Sequence, residues 1–293
     1  MIAEAHSNSP PSRFTRFAAI DWSGAKGTHH AGIAVGVCLS GIAAPKLVTS
    51  ETKHWSRRAI LDWILAQKDD IIIGFDFSFA PPFVERSAYF PGDDTPETAK
   101  AFWAYVDRHC DDPDLGAASL LEHRHRRHFY FGAKDGRKAD YTHFRACEAH
   151  YNAKGGGKPS TIYEAIGAAQ VAKASFSGMR LLAQVDGQIP IWPFDPLPPS
   201  GPVIVEIYTQ IAARAAGLRK GLSKIRTPEL LDAALISLGS APHTSLPCLT
   251  DHATDALVTA AWLRTFAAHK SLWSPRPLTE QIAQSEGWTF GIT

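Results

Sequence analysis

Apolar positions change their spacing several times along the chain, and each change marks a different element. RFAAIDWSG and HHAGIAVGVCLSG are β-prone runs parted by a polar, glycine-containing turn, which predicts a hairpin beginning near Arg13. KLVTSET is a candidate third strand. In SRRAILDWILAQ, Ile60, Trp63 and Ile64 recur at helical spacing, and Ser56 is placed to cap the helix. IIIGFDFSF then returns as a run apolar enough for a strand buried on both faces. From Ala80 to Gly201 the pattern loosens into the helix-like PETAKAFWAYVDRHC, the basic HRHRRHFYF, the glycine stretch NAKGGGKPS, read as a linker, and the proline-rich IWPFDPLPPSGP. PVIVEIY is another short strand, QIAARAAGL a helix, and DHATDALVTAAWLRTFAAH a mostly apolar final helix.

This pattern predicts an α/β protein. Residues 1–12, rich in Ser, Pro and Asn, read as a disordered lead-in. Residues 13–80 and 201–293 read as the core. Residues 81–200 read as a helical, loop-rich insertion, a candidate substrate-binding subdomain.

Composition narrows the partners. The 293 residues carry a net charge of +1, so no global field draws the chain to nucleic acid or membrane, and any such contact falls to a local patch. There is no apolar leader and no unbroken apolar run of about eighteen residues, so the expectation is a cytoplasmic protein with no membrane partner. Cys38, Cys110, Cys147 and Cys248 form no CxxC pair, and no disulfide-linked partner is expected. Oligomeric state leaves no signal.

The candidate chemistry lies in acids that end apolar elements. Asp21 follows AAI, Asp76 follows IIIGF and Glu206 follows VIV, while Asp251 and Asp255 share one helical face at i and i+4. An unpaired carboxylate in such surroundings costs several kcal/mol or more, so something must hold the charge. Carboxylates on neighbouring strands lie about 5 Å apart, and a hard divalent cation, Mg²⁺ or Mn²⁺, resolves their repulsion. Two such ions about 4 Å apart clamp the attacking and leaving oxygens of a phosphodiester. Each acid also has a plainer reading: Asp21 as a turn residue, Asp251 as a helix N-cap, Asp76 and Glu206 in ion pairs with arginines such as Arg145 or Arg214. In HRHRRHFYF six of nine residues are Arg or His, so Arg124, Arg126 and Arg127 are candidate nucleic-acid contacts, with a solvated basic loop as the alternative. His29 and His30 are expected in solvent, and GGGKPS lacks the Walker pattern.

In their order, AAIDWSGAK, GFDFSF, FRACE, IWPFD with VIVEIY, DHATDALVTAAWLR and EGWTFGI resemble the ribonuclease H-like superfamily, and more closely the DUF429 family of predicted nucleases. The final helix is also similar to the RuvC-type resolvase pattern. The resemblance covers most of the chain from Phe17. It implies a mixed five-stranded sheet flanked by helices, with the insertion between strands 4 and 5, and a two-metal nuclease acting on DNA or RNA. It implies Asp21, Asp76 and Asp255, with Asp251 or His252, as catalytic and metal-binding residues. Glu206, on the implied fifth strand, is a supplementary ligand, an acceptor behind the ligands, or a partner for Arg145. Lys26 and Arg145 are candidate phosphate contacts, and His252 or Lys26 a proton carrier. DWSGAKGT is also faintly similar to the first hairpin of actin-like ATPases and sugar kinases, whose duplicated fold needs a longer chain. A binding module that kept the acids without catalysis is the third class.

Overall fold

The computed structural model describes residues 13–157, 159–167, 171–219, 224–243 and 249–293. The lead-in, Lys158 of the glycine stretch and Cys248 fall outside them.

Six strands form one mixed sheet: β1 (Arg16–Asp21), β2 (Ala34–Leu39), β3 (Lys46–Leu47), β4 (Ile71–Asp76), β5 (Ile191–Trp192) and β6 (Val203–Glu206), in spatial order β3-β2-β1-β4-β6-β5. The β1–β2 and β2–β3 pairs are antiparallel, whereas β4, β6 and β5 continue from β1 in parallel. The sheet is therefore six-stranded rather than five-stranded. The additional strand, β5, comes from the end of the insertion and lies at the edge beyond β6. The third strand also shrinks from KLVTSET to two residues.

Helices α1 (Arg57–Leu65), α2 (Ala99–Arg108), α3 (Ala146–Ala153), α4 (Val171–Val185), α5 (Thr209–Ala215), α6 (Pro228–Ser237) and α7 (Asp251–Phe266) surround the sheet. Ser56 caps α1 by accepting from the Ala59 amide, as its sequence suggested. Strand alternation divides the core in two. Ala18, Ile20, Ile71, Ile73, Phe75 and Ile204 pack with α1, α2 and α4. Phe17, Ala19, Ile72, Val203 and Val205 pack with α5, α6 and α7. The insertion is thus no appendage, because its helices α2 and α4 supply much of the layer covering one face.

Helix α7 approaches the other face closely. A Cβ on Gly36 of β2 would come within 2.5 Å of the Ala256 carbonyl oxygen, and one on Gly74 of β4 within 2.7 Å of the Ile207 side chain. Both positions need the missing side chain for packing, because neither has a positive φ. Gly36→Ala pushes a backbone contact apart, and we expect it to cost about 1–3 kcal/mol in urea denaturation.

Candidate active site

Because β1 and β4 are parallel neighbours in register, Asp21 and Asp76 are paired opposite one another at their carboxyl ends. They have the parity of Ala19 and Gly74, so both belong to the α7 side of the sheet. The first turns of α7 bring Asp251, His252 and Asp255 to the same place. A cleft of about 720 Å³ opens here, its lining including all five residues together with Lys224 and Thr209.

Each carboxylate has definite company. Asp21 Oδ2 lies 2.9 Å from His252 Nδ1. Asp76 accepts from the Thr209 hydroxyl at 3.0 Å and, at 3.5 Å, from its amide. Lys224 Nζ reaches Asp251 at 3.2 Å and Asp255 at 3.6 Å, and Arg226 reaches Asp251 at 2.6 Å. The N-cap of α7 is Thr250, which accepts from the Ala253 amide, so Asp251 does not cap the helix. The turn after β1 is made by Ser23 Oγ accepting from the Ala25 amide, which leaves Asp21 to the cleft.

Crowding appears as proton affinity. Burial, then the charge of Asp21, pushes the Asp76 carboxyl up to about 8, although Thr209 opposes the shift. Burial raises Asp255 to about 6, Lys224 working against it and Asp21 and Asp251 adding to it. The Asp21 hydrogen bond leads the causes that raise His252. Asp21, Asp76 and Asp255, the last two reluctant to ionise even with Lys224 beside Asp255, form a donor set short of positive charge.

Glu206 also lines the cleft but stands apart from these acids. It pairs with Phe75, one residue out of phase with Asp76, and so belongs to the opposite face. There it accepts from Arg145 through both oxygens at 2.6 Å, from the Phe79 amide at 2.7 Å and from the Thr289 hydroxyl. Of its three expected roles, the one the geometry shows is partner of Arg145. Arg145 in turn is 2% exposed and also donates to Glu148, Ser78 and the Glu286 carbonyl, so its guanidinium is taken up by protein partners although it reaches the cleft lining. Arg214 donates to the Tyr151 hydroxyl, pairing with neither strand acid.

The other cationic candidates are engaged elsewhere. Lys26 pairs with Glu122 at 2.9 Å and is absent from the cleft lining. Arg124 donates to the Tyr105 hydroxyl, Arg126 pairs with Asp135 and covers the Phe131 ring, and Arg127 pairs with Asp93. HRHRRHFYF therefore closes on local acids and aromatics instead of presenting a free basic row. His30 is buried, bonded to Asp114 at 2.9 Å, contrary to its expected exposure. Asp114 also accepts from the Arg57 and Arg58 amides, while the buried Arg57 side chain donates to the carbonyls of Ser23 and Ala25, fixing the turn just beyond Asp21.

Sequence reasoning missed Lys224, Arg226 and Thr209. The first two stand in RKGLSKIR, where four of eight residues are basic, a density that marks the stretch without saying where it folds. A second group with metal-binding potential was also missed: Asp93, His125 and His128, whose ligand atoms all lie within 4.8 Å of one another. Among the described residues no helix is long and apolar enough to cross a membrane, and Cys38, Cys110 and Cys147 are free and buried. No protein-family model, curated protein or solved structure matches the chain.

Two outcomes follow from this geometry. A carboxyl that holds its proton more tightly in the native chain than in the unfolded one favours folding only while protonated. The contribution of Asp76 is complete below the ordinary aspartate range, near pH 4, and is lost as pH rises through about 8. In EDTA, Asp76→Asn is expected to melt several degrees above wild type at pH 8, with the gap closing toward pH 4, by differential scanning calorimetry. Arg145→Leu strands Glu206 and Glu148 as buried charges, and urea denaturation should show a loss of about 3–5 kcal/mol.

Proposed function

We propose that this chain is a metal-dependent nuclease of ribonuclease H-like architecture, hydrolysing phosphodiester bonds of nucleic acid in the cleft of Asp21, Asp76 and Asp255. The observation carrying the reading is the register match of Asp21 and Asp76 on neighbouring parallel strands, on the side covered by α7 and its Asp255. The order β3-β2-β1-β4-β6, with β2 alone reversed against its neighbours, supports the architectural half of the reading, β5 being an addition at the edge. The acids fit hard cations, because oxygen donors of high proton affinity converge there and an ammonium, Lys224, already stands against two carboxylates.

Mg²⁺ or Mn²⁺ bound in the cleft would supply an activated water and neutralise charge building on the phosphate. The side chains do the remaining work. Thr209 fixes the orientation of Asp76. His252, bonded to Asp21 and 46% exposed at its side chain, is placed to take or give a proton at the attacking or leaving oxygen. Lys224 and Arg226 put positive charge at the rim, where a nucleic-acid backbone would pass. The actin-like alternative finds no second copy of the fold among the described residues, where one sheet serves the whole chain.

The test is a cleavage assay on single-stranded, duplex and branched DNA and RNA with Mg²⁺ or Mn²⁺. We expect cleavage that EDTA abolishes and that Asp21→Asn or Asp76→Asn lowers by more than about 100-fold. Intact substrates across the whole panel would overturn the proposal.

A further inference from the structure

Asp93 lies in the loop between β4 and α2, whereas His125 joins a π-helical turn (Leu120–Arg124) to a 3-10 turn (Arg126–His128) that His128 ends. The two segments meet through one oxygen. Asp93 Oδ2 is 2.7 Å from His125 Nδ1 and 2.8 Å from His128 Nε2. Two imidazole nitrogens and a carboxylate thus converge from positions 32 and 35 residues apart in sequence. None of the three touches the acid cleft.

Their surroundings are ordered in the way metal ligands need. The Phe90 ring stacks on both imidazoles, at 4.4 Å from His125 and 4.8 Å from His128, which fixes their planes. His125 is 3% exposed, and its far nitrogen, Nε2, sits 2.9 Å from the Tyr105 hydroxyl. A ligating histidine commonly has such an outer partner, which sets its tautomer and orientation. Arg127 pairs with Asp93 Oδ1 and its Nε lies 3.2 Å from His128 Nε2, so one guanidinium rests against two of the three donors. Its side chain is 62% exposed and free to swing into solvent.

We infer that Asp93, His125 and His128 form a zinc site that staples the segment following β4 to the histidine-rich turn. Two imidazoles and one carboxylate suit Zn²⁺ better than Mg²⁺, which prefers an all-oxygen octahedron. Tetrahedral bonds of about 2.0 Å set neighbouring ligand atoms about 3.3 Å apart, so the two nitrogens retreat from Asp93 by roughly half an ångström. The proton count closes without a base. Each neutral imidazole moves its proton from the nitrogen facing Asp93 to the other ring nitrogen, which for His125 then donates to Tyr105. Arg127 leaves, and water completes the tetrahedron. The site is independent of the nuclease reading.

Titration of the EDTA-treated, desalted full chain with Co²⁺, followed by Zn²⁺ competition, tests the assignment. One equivalent of Co²⁺ should produce visible d–d bands that Zn²⁺ bleaches, and Asp76→Asn should leave them unchanged. His128→Gln should weaken Zn²⁺ binding by about tenfold or more. Arg127→Gln, a substitution at an exposed side chain, should tighten it because the competing cation is gone. This variant keeps the test decisive if His128→Gln fails to fold. Absence of bands in the wild-type chain, bands that survive in folded His128→Gln, or a Zn²⁺ affinity unmoved in Arg127→Gln would overturn the inference.

Discussion

A guanidinium sealed inside a protein must be matched donor by donor, and Arg145 imposes that condition on everything around the strand ends. Its partners arrive from four places: Glu206 at the end of β6, Glu148 on α3, Ser78 beyond β4 and the carbonyl of Glu286 near the C-terminus. Glu286 extends the network, its carboxylate accepting from the amides of Phe83, Val84 and Ala146. The chain leaving β4, the segment entering α3 and the closing EGWTFGI stretch are therefore held to one charged centre. Such a centre contributes little net stability when complete and costs much when any member is lost. Its value is positional, because it leaves these segments one arrangement.

Strand alternation then sorts the acids by task. Asp21 and Asp76 share a parity and meet α7, while Glu206, a single register step away, turns to Arg145. The same chemical group is left to the cleft at Asp21 and Asp76 and bound to a guanidinium at Glu206. A slip of one residue between β4 and β6 would put Asp76 and Glu206 on one face, which is why the pairing has to be fixed by packing on both faces. The close seat of α7 against Gly36 and Gly74 completes the arrangement by bringing Asp255 within electrostatic reach of the strand acids.

Much of this was legible in the sequence. Period-2 and period-3.6 patterns located β1, β2, β4, β6, α1 and α7, and acids terminating apolar elements pointed to Asp21, Asp76 and Asp255. Pairing was not legible, since single-strand patterns do not state register between strands. That is how Glu206 entered the expected ligand set, and how β5, two residues inside a proline-rich stretch, went unseen. The arginines of HRHRRHFYF read as candidate free cations because their acids, Asp93 and Asp135, lie in loops without periodicity. Lys224 and Thr209 were hidden for the same reason, their place being set by tertiary contact alone.

The sheet's two margins have a bearing on self-association. Both edge strands, β3 and β5, are two residues long, and each lies against a longer neighbour. A margin that short offers an incoming chain almost no row of unpaired amides and carbonyls to extend. Backbone-to-backbone zipping of two copies at either margin would therefore have only two residues of edge strand to pair with.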